Sequence, residues 1–574
     1  MSTKTAEAGA AGSPSVWSTI ALALPVFALA LITRTGFIGL PPIYDELYQM
    51  LPAQSWRLNG DFAVLDGAYT RAAIFTKLIA FSFSVVGEEG PLAGRLIPSV
   101  LPGALLVSLI FVWTRLVIGA LAGWFVLVFL LLWPNGIEVS QYVRFYALHG
   151  LVFCIGVLAI YSALAGALAM RWRAALLILA AAALFFALRL QLLTMIGVFG
   201  LGLWVAVVFL PGWIRRFPWI WWLIAAGVAL VAGVLASGVI NDQLVFLWTT
   251  YQWQPWPAQQ DMFFYHRNFR DNYPTFWPLF PVAALIALAA HPKAASLCLS
   301  LFTVGFILQS FGGLKGVRYL YPVMPFFFVL WAAALQAVGP VLYGGLRRMI
   351  SGAAAPLAPA RLVSVVTGAA VLGALFFLFA ANAAFERSLQ MTRGAPAQTL
   401  LGKTRWTWPA AAEMTRPWLE EGAVVVTSEE MLAVEWLGDF DLAYNKPRFS
   451  ELLYSIGPDT PPFTADKRTG RPIIGEFDDL ARVIACEPVG VVLGNAGFVG
   501  GGAALNIALK AQGVGAEVEA SSRGGFSLVG WRRAPGEVGA ECAAITPPSS
   551  DRAATRLLGG ERTPALVSSS ESRK

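Results

Sequence analysis

Eleven apolar runs fill the first two thirds of the chain, and no other feature constrains the fold as strongly. A helix that crosses a bilayer needs about 20 mostly apolar residues. Of the 34 acids, 23 lie in residues 385–574, which leaves 11 for residues 1–384, as expected for segments in lipid, where a charge is costly. The whole chain is 57% hydrophobic and 13% charged, which excludes an ordinary soluble enzyme. The predicted spans lie near 17–40, 95–114, 117–134, 145–166, 174–192, 194–212, 218–239, 276–290, 294–311, 319–343 and 362–384.

The pattern predicts a polytopic α-helical membrane protein with about 11 transmembrane helices, and the shorter runs also allow ten or twelve. The basic residues orient the helices: with a cytoplasmic N-terminal tail (1–16), every short connection on that side carries Lys or Arg and no acid, which is the positive-inside pattern. An odd number of spans then places the outer loops 41–94 and 240–275, and everything after residue 384, outside the cytoplasm. The connecting basic residues are Arg115, Arg171, Arg173, Arg215, Arg216, Lys293, Arg347, Arg348 and Arg361.

The N-terminal sequence MSTKTAEAGAAGSPS is too long and too acidic for the start of a signal peptide, so we expect the first apolar run to be a retained helix. The apolar stretch 68–87 carries Arg71 and Lys77, which predicts an interfacial helix. The loop 240–275 is rich in Trp and Tyr, typical of an interfacial aromatic belt or of a platform for a sugar or lipid head group. The Ala-, Gly- and Arg-rich composition favours a high-GC bacterium, and therefore the bacterial inner (cytoplasmic) membrane.

Residues 385–534 have the composition of a soluble domain, which the orientation places in the periplasm or outside the cell. GAVVVTS, FDLAYN, PVGVVLGN and GFSLVGWRR have strand patterns, and EEMLAVEWLG and FDDLARVIAC have helix patterns. Their alternation predicts a C-terminal α/β domain with a doubly wound sheet. GNAGFVGGG lacks the Lys and the spacing of a phosphate loop, which argues against nucleotide binding, and we expect no nucleic-acid partner. Residues 535–574 are rich in Ser, Pro and charge, and we expect them to be disordered.

The four cysteines allow two interpretations of the outer domain. Cys154 and Cys298 lie in apolar runs, where cysteine is usually a small buried hydrophobe. Cys486 and Cys542 fall in the part predicted to be extracytoplasmic, where an oxidising compartment favours a disulfide. The alternative is a buried Cys486 and a free Cys542 in the tail. No CxxC pair occurs and the three histidines are scattered, so no zinc site is encoded locally.

Acids and an arginine converge on the predicted outer face of the membrane region. Asp45 and Glu46 follow the first span in the sequence GLPPIYDELYQM. Glu138 is the one acid between Glu89 and Asp242; it follows the third span, and Arg144 comes six residues later. A solvated loop acid is the simplest interpretation of each carboxylate alone. Ionisable groups at a membrane surface are nevertheless candidates for function, and here several fall on the same face.

At these residues the sequence resembles the GT-C glycosyltransferases that use lipid-phosphate sugars, in particular the bacterial group related to protein O-mannosyltransferases and the lipid A aminoarabinose transferase. Three stretches carry the resemblance, in the same order and with similar spacing: YDELYQ after the first span, GRLIPSVLPGALLV leading to SQYVRFYAL, and VRYLYPVMPFFFVL near the last spans. Together they cover most of residues 17–345. The C-terminal domain shows no such match.

The resemblance implies that Asp45 is the general base, or the residue that positions the acceptor hydroxyl, with Glu46 and Glu138 as further candidates for the catalytic group. Asp45 and Glu138 are also the acids that could hold a divalent metal, which some family members use and others do not; no other cofactor is implied. His266 is either a contact to the substrate or a simple loop histidine. A leaving lipid phosphate needs positive charge, and arginine suits it best. Candidates for the donor phosphate are Arg71, Arg144, Lys315, Arg318 and Tyr319.

The predicted function is therefore that of an integral membrane glycosyltransferase, with a polyprenyl-phosphate sugar as donor and a glycolipid, a polysaccharide or a protein as acceptor. The alternative is a transporter or flippase of lipid-linked sugars. Many transporters contain two similar halves, whereas this sequence shows no internal repeat. A scaffold with a sensing outer domain would leave the cluster of Asp45, Glu138 and Arg318 unexplained.

Overall fold

The structure is a computed structural model that describes residues 15–36, 38–238, 261–354, 360–393, 408–457, 459–495, 499, 501–523, 526–534 and 542. The expectations for the N-terminal tail, for most of the outer loop 240–275 and for nearly all of the tail 535–574 lie outside these residues.

Each of the eleven apolar runs contains a helix. In the described ranges, seven helices are long and apolar enough to cross a bilayer, or ten if each of three bent pairs is one span. The segment Ile220–Ala236 forms a further, shorter apolar helix. The seven are Val16–Thr33, Pro91–Val117, Tyr146–Ala165, Met170–Leu190, Pro292–Phe311, Met324–Ala354 and Ala360–Ala380.

The three bent pairs each break at or near a proline. Ala120–Leu131 and Pro134–Ser140 meet at 64°, Thr194–Val208 and Leu210–Arg216 at 48°, and Phe264–Asn272 and Phe276–Ala290 at 94°. Proline lacks the backbone N–H that continues a helix, and its ring disfavours the helical conformation of the residue before it. The first of these bends matters for the site, because the short helix after it leads the chain into residues 141–145.

The predicted first outer loop, residues 41–94, is folded. It contains the helix Tyr44–Asn59, called the acidic helix below, the two-stranded hairpin β1 (Ala63–Val64) and β2 (Gly67–Ala68), and the helix Ala73–Val86. The acidic helix ends at Gly60, whose φ of 79° is the left-handed conformation that glycine adopts most easily. The helix Ala73–Val86 falls within the stretch 68–87, and its predicted position at the membrane interface stays a prediction.

The C-terminal region forms a seven-stranded mixed sheet in the order β5-β6-β4-β3-β7-β9-β8. Strands β3, β4, β6 and β7 run parallel, whereas β5, β9 and β8 pair antiparallel with their neighbours. All four predicted strands and both predicted helices are present. The strands are β3 (Val424–Thr427), β4 (Leu442–Tyr444), β5 (Thr464–Ala465), β6 (Pro472–Ile474), β7 (Val489–Asn495), β8 (Glu517–Arg523) and β9 (Phe526–Arg532).

The remaining helices connect these parts. Pro91–Val117 contains a π-helical segment at Leu96–Val100, and a 3-10 turn lies at Val317–Leu320. The predicted class, a polytopic helical membrane protein with a C-terminal α/β domain, is confirmed. The other described helices are Ala383–Thr392, Trp408–Glu420, Glu430–Leu437, Lys446–Ile456, Phe477–Cys486 and Gly502–Gly513.

The C-terminal domain packs on the hairpin of the first outer loop. The backbone N–H groups of Asp66 and Ala68 donate to the carbonyls of Thr469 and Lys467 at 3.2 and 3.0 Å. A side chain on Gly67 would lie 2.5 Å from backbone atoms of the opposing loop, so only glycine allows this approach. An ion pair between Asp66 and Arg471 adds to the contact.

Cys486 and Cys542 form a disulfide in the structure, with their Cα atoms 5.5 Å apart. We therefore expect only the buried Cys154 and Cys298 to react with an alkylating reagent when the protein is denatured without reduction, and all four cysteines to react after reduction. By the chain-entropy relation, closing a loop of this length stabilises the domain by about 4 kcal/mol. Mass spectrometry of the alkylated protein gives the count, and four labelled thiols before reduction would show that the tail is not attached to the domain.

Candidate active site

The acidic helix begins directly after the two prolines of the first outer loop. The backbone N–H of Ile43 donates to Glu46 Oε2 at 3.0 Å, which is the half of a capping box that a glutamate supplies. Asp45 and Glu46 therefore lie in the first helical turn, where negative charge is favourable. Successive side chains of an α-helix are about 100° apart, so the two carboxylates point in different directions.

Glu46 points into the protein, where it is fully buried against Arg95. Arg95 Nε and Nη2 donate to its two carboxylate oxygens at 2.8 and 2.7 Å, and the backbone N–H of Val143 adds a bond of 2.9 Å. Arg95 also donates to the backbone carbonyls of the loop before the acidic helix. This placement argues against the assignment of Glu46 to the catalytic group, because both of its oxygens are held in a buried ion pair.

Asp45 faces a different direction and is 27% exposed. Its Oδ2 accepts from the Tyr142 hydroxyl at 2.6 Å and from Arg318 Nη1 at 2.9 Å, and its backbone carbonyl accepts from Arg144 Nη1 at 3.1 Å. Burial alone would raise the pKa of Asp45, but the charges of Arg318 and Arg144 and the bond from Tyr142 hold it well below its ordinary value. Asp45 is therefore ionised at neutral pH and able to accept a proton.

Two irregular segments bring the partners of Asp45 to this point. The chain turns at residues 141–145, after the short helix Pro134–Ser140, and Ser99 Oγ fixes that turn by donating to the Tyr142 carbonyl at 2.8 Å. Arg318 lies on the 3-10 turn Val317–Leu320, which follows the helix Pro292–Phe311. Sites whose side chains come from such turns are positioned by the helices on either side.

Arginines surround Asp45 and leave the cluster positively charged. The guanidinium groups of Arg71 and Arg144 lie 5.5 and 5.6 Å from the centre of the Phe145 ring, and Arg318 lies over Tyr146 and Tyr319 at 5.9 and 5.5 Å. Three guanidinium groups and one carboxylate give an excess of two positive charges. Arg144 Nε is buried and has no hydrogen-bond partner among the described residues. The arrangement fits a bound anion with several oxygens, such as a phosphate.

Arg71 is exposed, and its Nη2 donates to Gln191 Oε1 at 3.2 Å. One nitrogen of its guanidinium group is therefore already hydrogen-bonded, and the group still faces the arginine cluster around Asp45. Tyr319 lies half-buried beside Arg318 and lines a narrow cavity with His149, Thr194 and Gln309. The sequence-based choice of Asp45, Arg71, Arg144, Arg318 and Tyr319 therefore names residues that the fold brings together.

The other predicted residues have different surroundings. Lys315 is buried and donates from Nζ to the carbonyl of Gly312 at 2.6 Å, which ties its own loop together. His266 is exposed on the helix Phe264–Asn272, where its Nδ1 accepts from Trp277 Nε1 at 3.0 Å. Glu138 is half-buried on the short helix Pro134–Ser140. The hydrogen bonds of Asp45 described above come from Tyr142, Arg144 and Arg318 and not from these three side chains.

Sequence reasoning missed Tyr142 and Arg95. Tyr142 stands two residues before Arg144 in SQYVRFYAL, and the convergence of that segment with Asp45 is the signal by which it could have been found. A divalent metal does not fit the surroundings of Asp45, because the charged groups next to it are guanidinium groups. The described residues also contain no cluster of three or more His, Cys, Asp or Glu placed to hold a metal ion.

Removal of one partner of the buried pair should destabilise the protein strongly. Glu46→Gln leaves the Arg95 charge buried without its counter-ion, for which the usual cost is about 3–5 kcal/mol. Glu89→Gln is a matched control, since it breaks the partly exposed pair of Arg57 and Glu89, worth about 0–1 kcal/mol. Thermal melts of the detergent-solubilised variants measure the difference, and equal melting temperatures would contradict the structural role of Glu46.

Comparison with known proteins supports the architecture. No family model and no curated protein sequence matches the chain. The structure is similar to that of ArnT from Cupriavidus metallidurans bound to undecaprenyl phosphate, at a TM-score of 0.55 and 15% identity, over 93% of this chain and 99% of that chain. It is also similar to the archaeal oligosaccharyltransferase AglB from Archaeoglobus fulgidus in complex with an inhibitory peptide and a dolichol-phosphate, at a TM-score of 0.54 and 12% identity, over 91% and 75% of the two chains. These enzymes belong to the GT-C superfamily, and the chain shares their fold, as the sequence motifs led us to expect.

Proposed function

We propose that the protein is an integral membrane glycosyltransferase that moves a sugar from a polyprenyl-phosphate donor to an acceptor outside the cytoplasm, with Asp45 as the base. The observation that carries the proposal is the cluster in which Asp45 is bound by Arg318 and Arg144 with an excess of positive charge. The shared fold supports it, because ArnT and AglB have been solved with undecaprenyl phosphate and a dolichol-phosphate. The acceptor is a glycolipid, a polysaccharide or a protein.

The residues suit transfer from a lipid phosphate. The acceptor hydroxyl oxygen forms a bond to the anomeric carbon, its proton passes to Asp45, and the bond from that carbon to the phosphate oxygen breaks. The lipid phosphate leaves with the bonding electrons, and Arg71, Arg144 and Arg318 stabilise its charge without protonating it. General-base catalysis of this kind contributes about 10²–10⁴-fold to the rate.

Arg318 has a double role in this scheme. In the structure it neutralises Asp45, and the charge of Arg318 contributes to the low pKa of that carboxylate. A carboxylate with such a low pKa is a weak base. When a donor phosphate binds the same guanidinium group, the attraction on Asp45 decreases and its pKa rises towards the ordinary value, which makes it a better proton acceptor. Donor binding and base strength are thus coupled through one side chain.

Incubation of the purified protein with labelled polyprenyl-phosphate sugars and an envelope extract tests the function. Label in an acceptor supports the proposal. Movement of the label across vesicles without transfer would instead support a flippase. The absence of both transfer and movement would support a scaffold. The glycan composition of a strain that lacks the protein would then identify the sugar and the acceptor.

Asp45→Asn should reduce the turnover of sugar transfer by about 10²–10⁴-fold, because the amide cannot accept the proton. Binding of undecaprenyl phosphate should persist, since all three arginines remain. Asp271→Asn is the matched control, because the Asp271 side chain is 59% exposed and pairs only with its neighbour Arg270 among the described residues. The turnover of this variant should equal that of the wild type. A near-normal turnover of Asp45→Asn would exclude Asp45 as the base.

We also propose that the N-terminus is cytoplasmic and that the C-terminal domain lies outside the cytoplasm. The positive-inside pattern and the disulfide of Cys486 and Cys542 support this orientation. Alkaline phosphatase fused after Lys574 should therefore be active, whereas the same enzyme fused after Arg215 should be inactive. Green fluorescent protein at the two positions provides the reciprocal control, and a reversed result at either position would overturn the orientation.

A further inference from the structure

The first turn of the acidic helix contacts the C-terminal domain as well as the membrane region. The hydroxyls of Tyr44 and Tyr48 both donate to Glu430 Oε1, the second at 2.8 Å, although Glu430 lies more than 380 residues further along the chain. The two tyrosine hydroxyls also lie 2.7 Å from each other. Tyr44 is the neighbour of Asp45, and Tyr48 lies one turn beyond it.

Glu430 occupies a particular place in the C-terminal sheet. It begins the helix that follows β3, at the edge where the parallel strands β3, β4, β6 and β7 end. Open α/β sheets commonly bind their ligands at this edge. Here the edge contacts the helix that carries Asp45, and Glu430 is the fully buried carboxylate at the contact.

The contact of Glu430 with the two tyrosine hydroxyls is polar, and burying it costs free energy. A buried carboxylate needs donors, and burial together with the charge of Glu430 raises the pKa of Tyr44, so that its hydroxyl stays protonated and donates. Glu430 Oε2 nevertheless has no hydrogen-bond partner among the described residues. Apolar side chains of similar shape would hold two domains together at least as well. Stability alone therefore does not explain why the contact between the two parts contains a charged carboxylate.

Arg468 holds the same turn from the side. Its Nη1 donates to the Tyr48 hydroxyl at 2.9 Å, and its guanidinium group lies 4.9 Å from the centre of the Tyr48 ring. Arg468 is itself fixed by Glu451, whose two oxygens accept from its Nη2 at 2.9 Å. Tyr48 thus lies between a carboxylate and an arginine that both belong to the C-terminal domain.

The two faces of the turn are held by different parts of the protein. The bond of Glu46 to Arg95 fixes one face to the membrane region, and the bonds of Tyr44 and Tyr48 to Glu430 fix the other to the C-terminal domain. Asp45 lies between them and projects towards Arg318. A rotation of the turn would move the carboxylate away from its partners, and a misplacement of about 1 Å can cost 10²-fold in rate.

We propose that Glu430 is a positioning residue for Asp45, acting through the hydroxyls of Tyr44 and Tyr48. The proposal rests on the function proposed above. It assigns to the C-terminal domain a part in the transfer reaction, namely to set the orientation of the acidic helix.

Two variants and one control test the proposal in the full-length protein. Glu430→Gln keeps the shape of the side chain and removes its charge. The triple variant Glu430→Leu, Tyr44→Phe and Tyr48→Phe replaces the polar contact by an apolar one and should melt at the temperature of the wild type or above it. Asp66→Asn breaks the ion pair with Arg471, which joins the same two parts of the protein away from Asp45.

We expect Glu430→Gln and the triple variant to lower kcat about tenfold or more, while the Kd for undecaprenyl phosphate changes less than about twofold, since positioning acts on the reacting groups. Asp66→Asn should keep the kcat of the wild type. A triple variant with the stability and the kcat of the wild type would overturn the proposal, because Glu430 would then serve only to join the domains. An equal loss of kcat in Glu430→Gln and Asp66→Asn would overturn it as well.

Hydrogen exchange separates this proposal from the proposed function. Amides of residues 43–50 should exchange faster in Glu430→Gln than in Asp66→Asn if Glu430 fixes the turn. If the wild type transfers no sugar, the proposed function fails, and the exchange rates alone decide whether Glu430 orders the turn. Equal rates in the two variants would refute the positioning role in either case.

Discussion

The buried ion pair of Glu46 and Arg95 is the interaction on which the geometry of the site depends. It joins the start of the acidic helix to the start of the long helix Pro91–Val117, and through the N–H of Val143 to the segment that carries Tyr142. Two charges taken out of water are tolerated only when each lone pair and each proton finds a partner. Here the carboxylate and the guanidinium group use backbone groups from two segments, residues 38–43 and 141–145, so the same bonds that solvate the pair also fix those segments to each other.

The adjacent acids illustrate how a helix assigns different tasks to similar residues. Asp45 and Glu46 are neighbours, and two like charges in contact raise each other's pKa. The turn of the helix directs them to different sides, and each has its own arginine: Arg95 is fully buried, whereas Arg318 is 35% exposed. The pair in the interior is closed to solvent, whereas the pair at the surface is partly open to it. Their burial therefore distinguishes Glu46, a structural carboxylate, from Asp45, the proposed base.

Much of this was predictable from the sequence, for physical reasons that also set the limit. Apolar runs indicate burial in lipid, and each of the eleven predicted runs contains a helix among the described residues, although seven to ten of the helices there are long and apolar enough to be spans. The scarcity of acids drew attention to Asp45, whose catalytic role stays a proposal. The sequence does not show in which direction a side chain points, and Glu46 was therefore a second candidate for the catalytic carboxylate. Lys315 looked like a phosphate ligand for the same reason, although its amine binds a carbonyl in its own loop. The sequence predicted Glu430 only as part of the start of a helix. Its contact with Tyr44 was not predicted, because contacts between residues so far apart in the chain leave no local pattern.

The carboxyl edge of the C-terminal sheet gives this architecture a further consequence. In a free-standing α/β domain that edge is open to ligands. In this chain Glu430 at that edge and Arg468 in the turn between β5 and β6 bind the tyrosines of the acidic helix, and the membrane region supplies Arg144 and Arg318 on the other side of the same turn. Neither part alone contains all the bonds that orient Asp45. Under the proposed roles of Asp45 and Glu430, the site is therefore complete only when both parts are folded and docked, and the contact between them belongs to it.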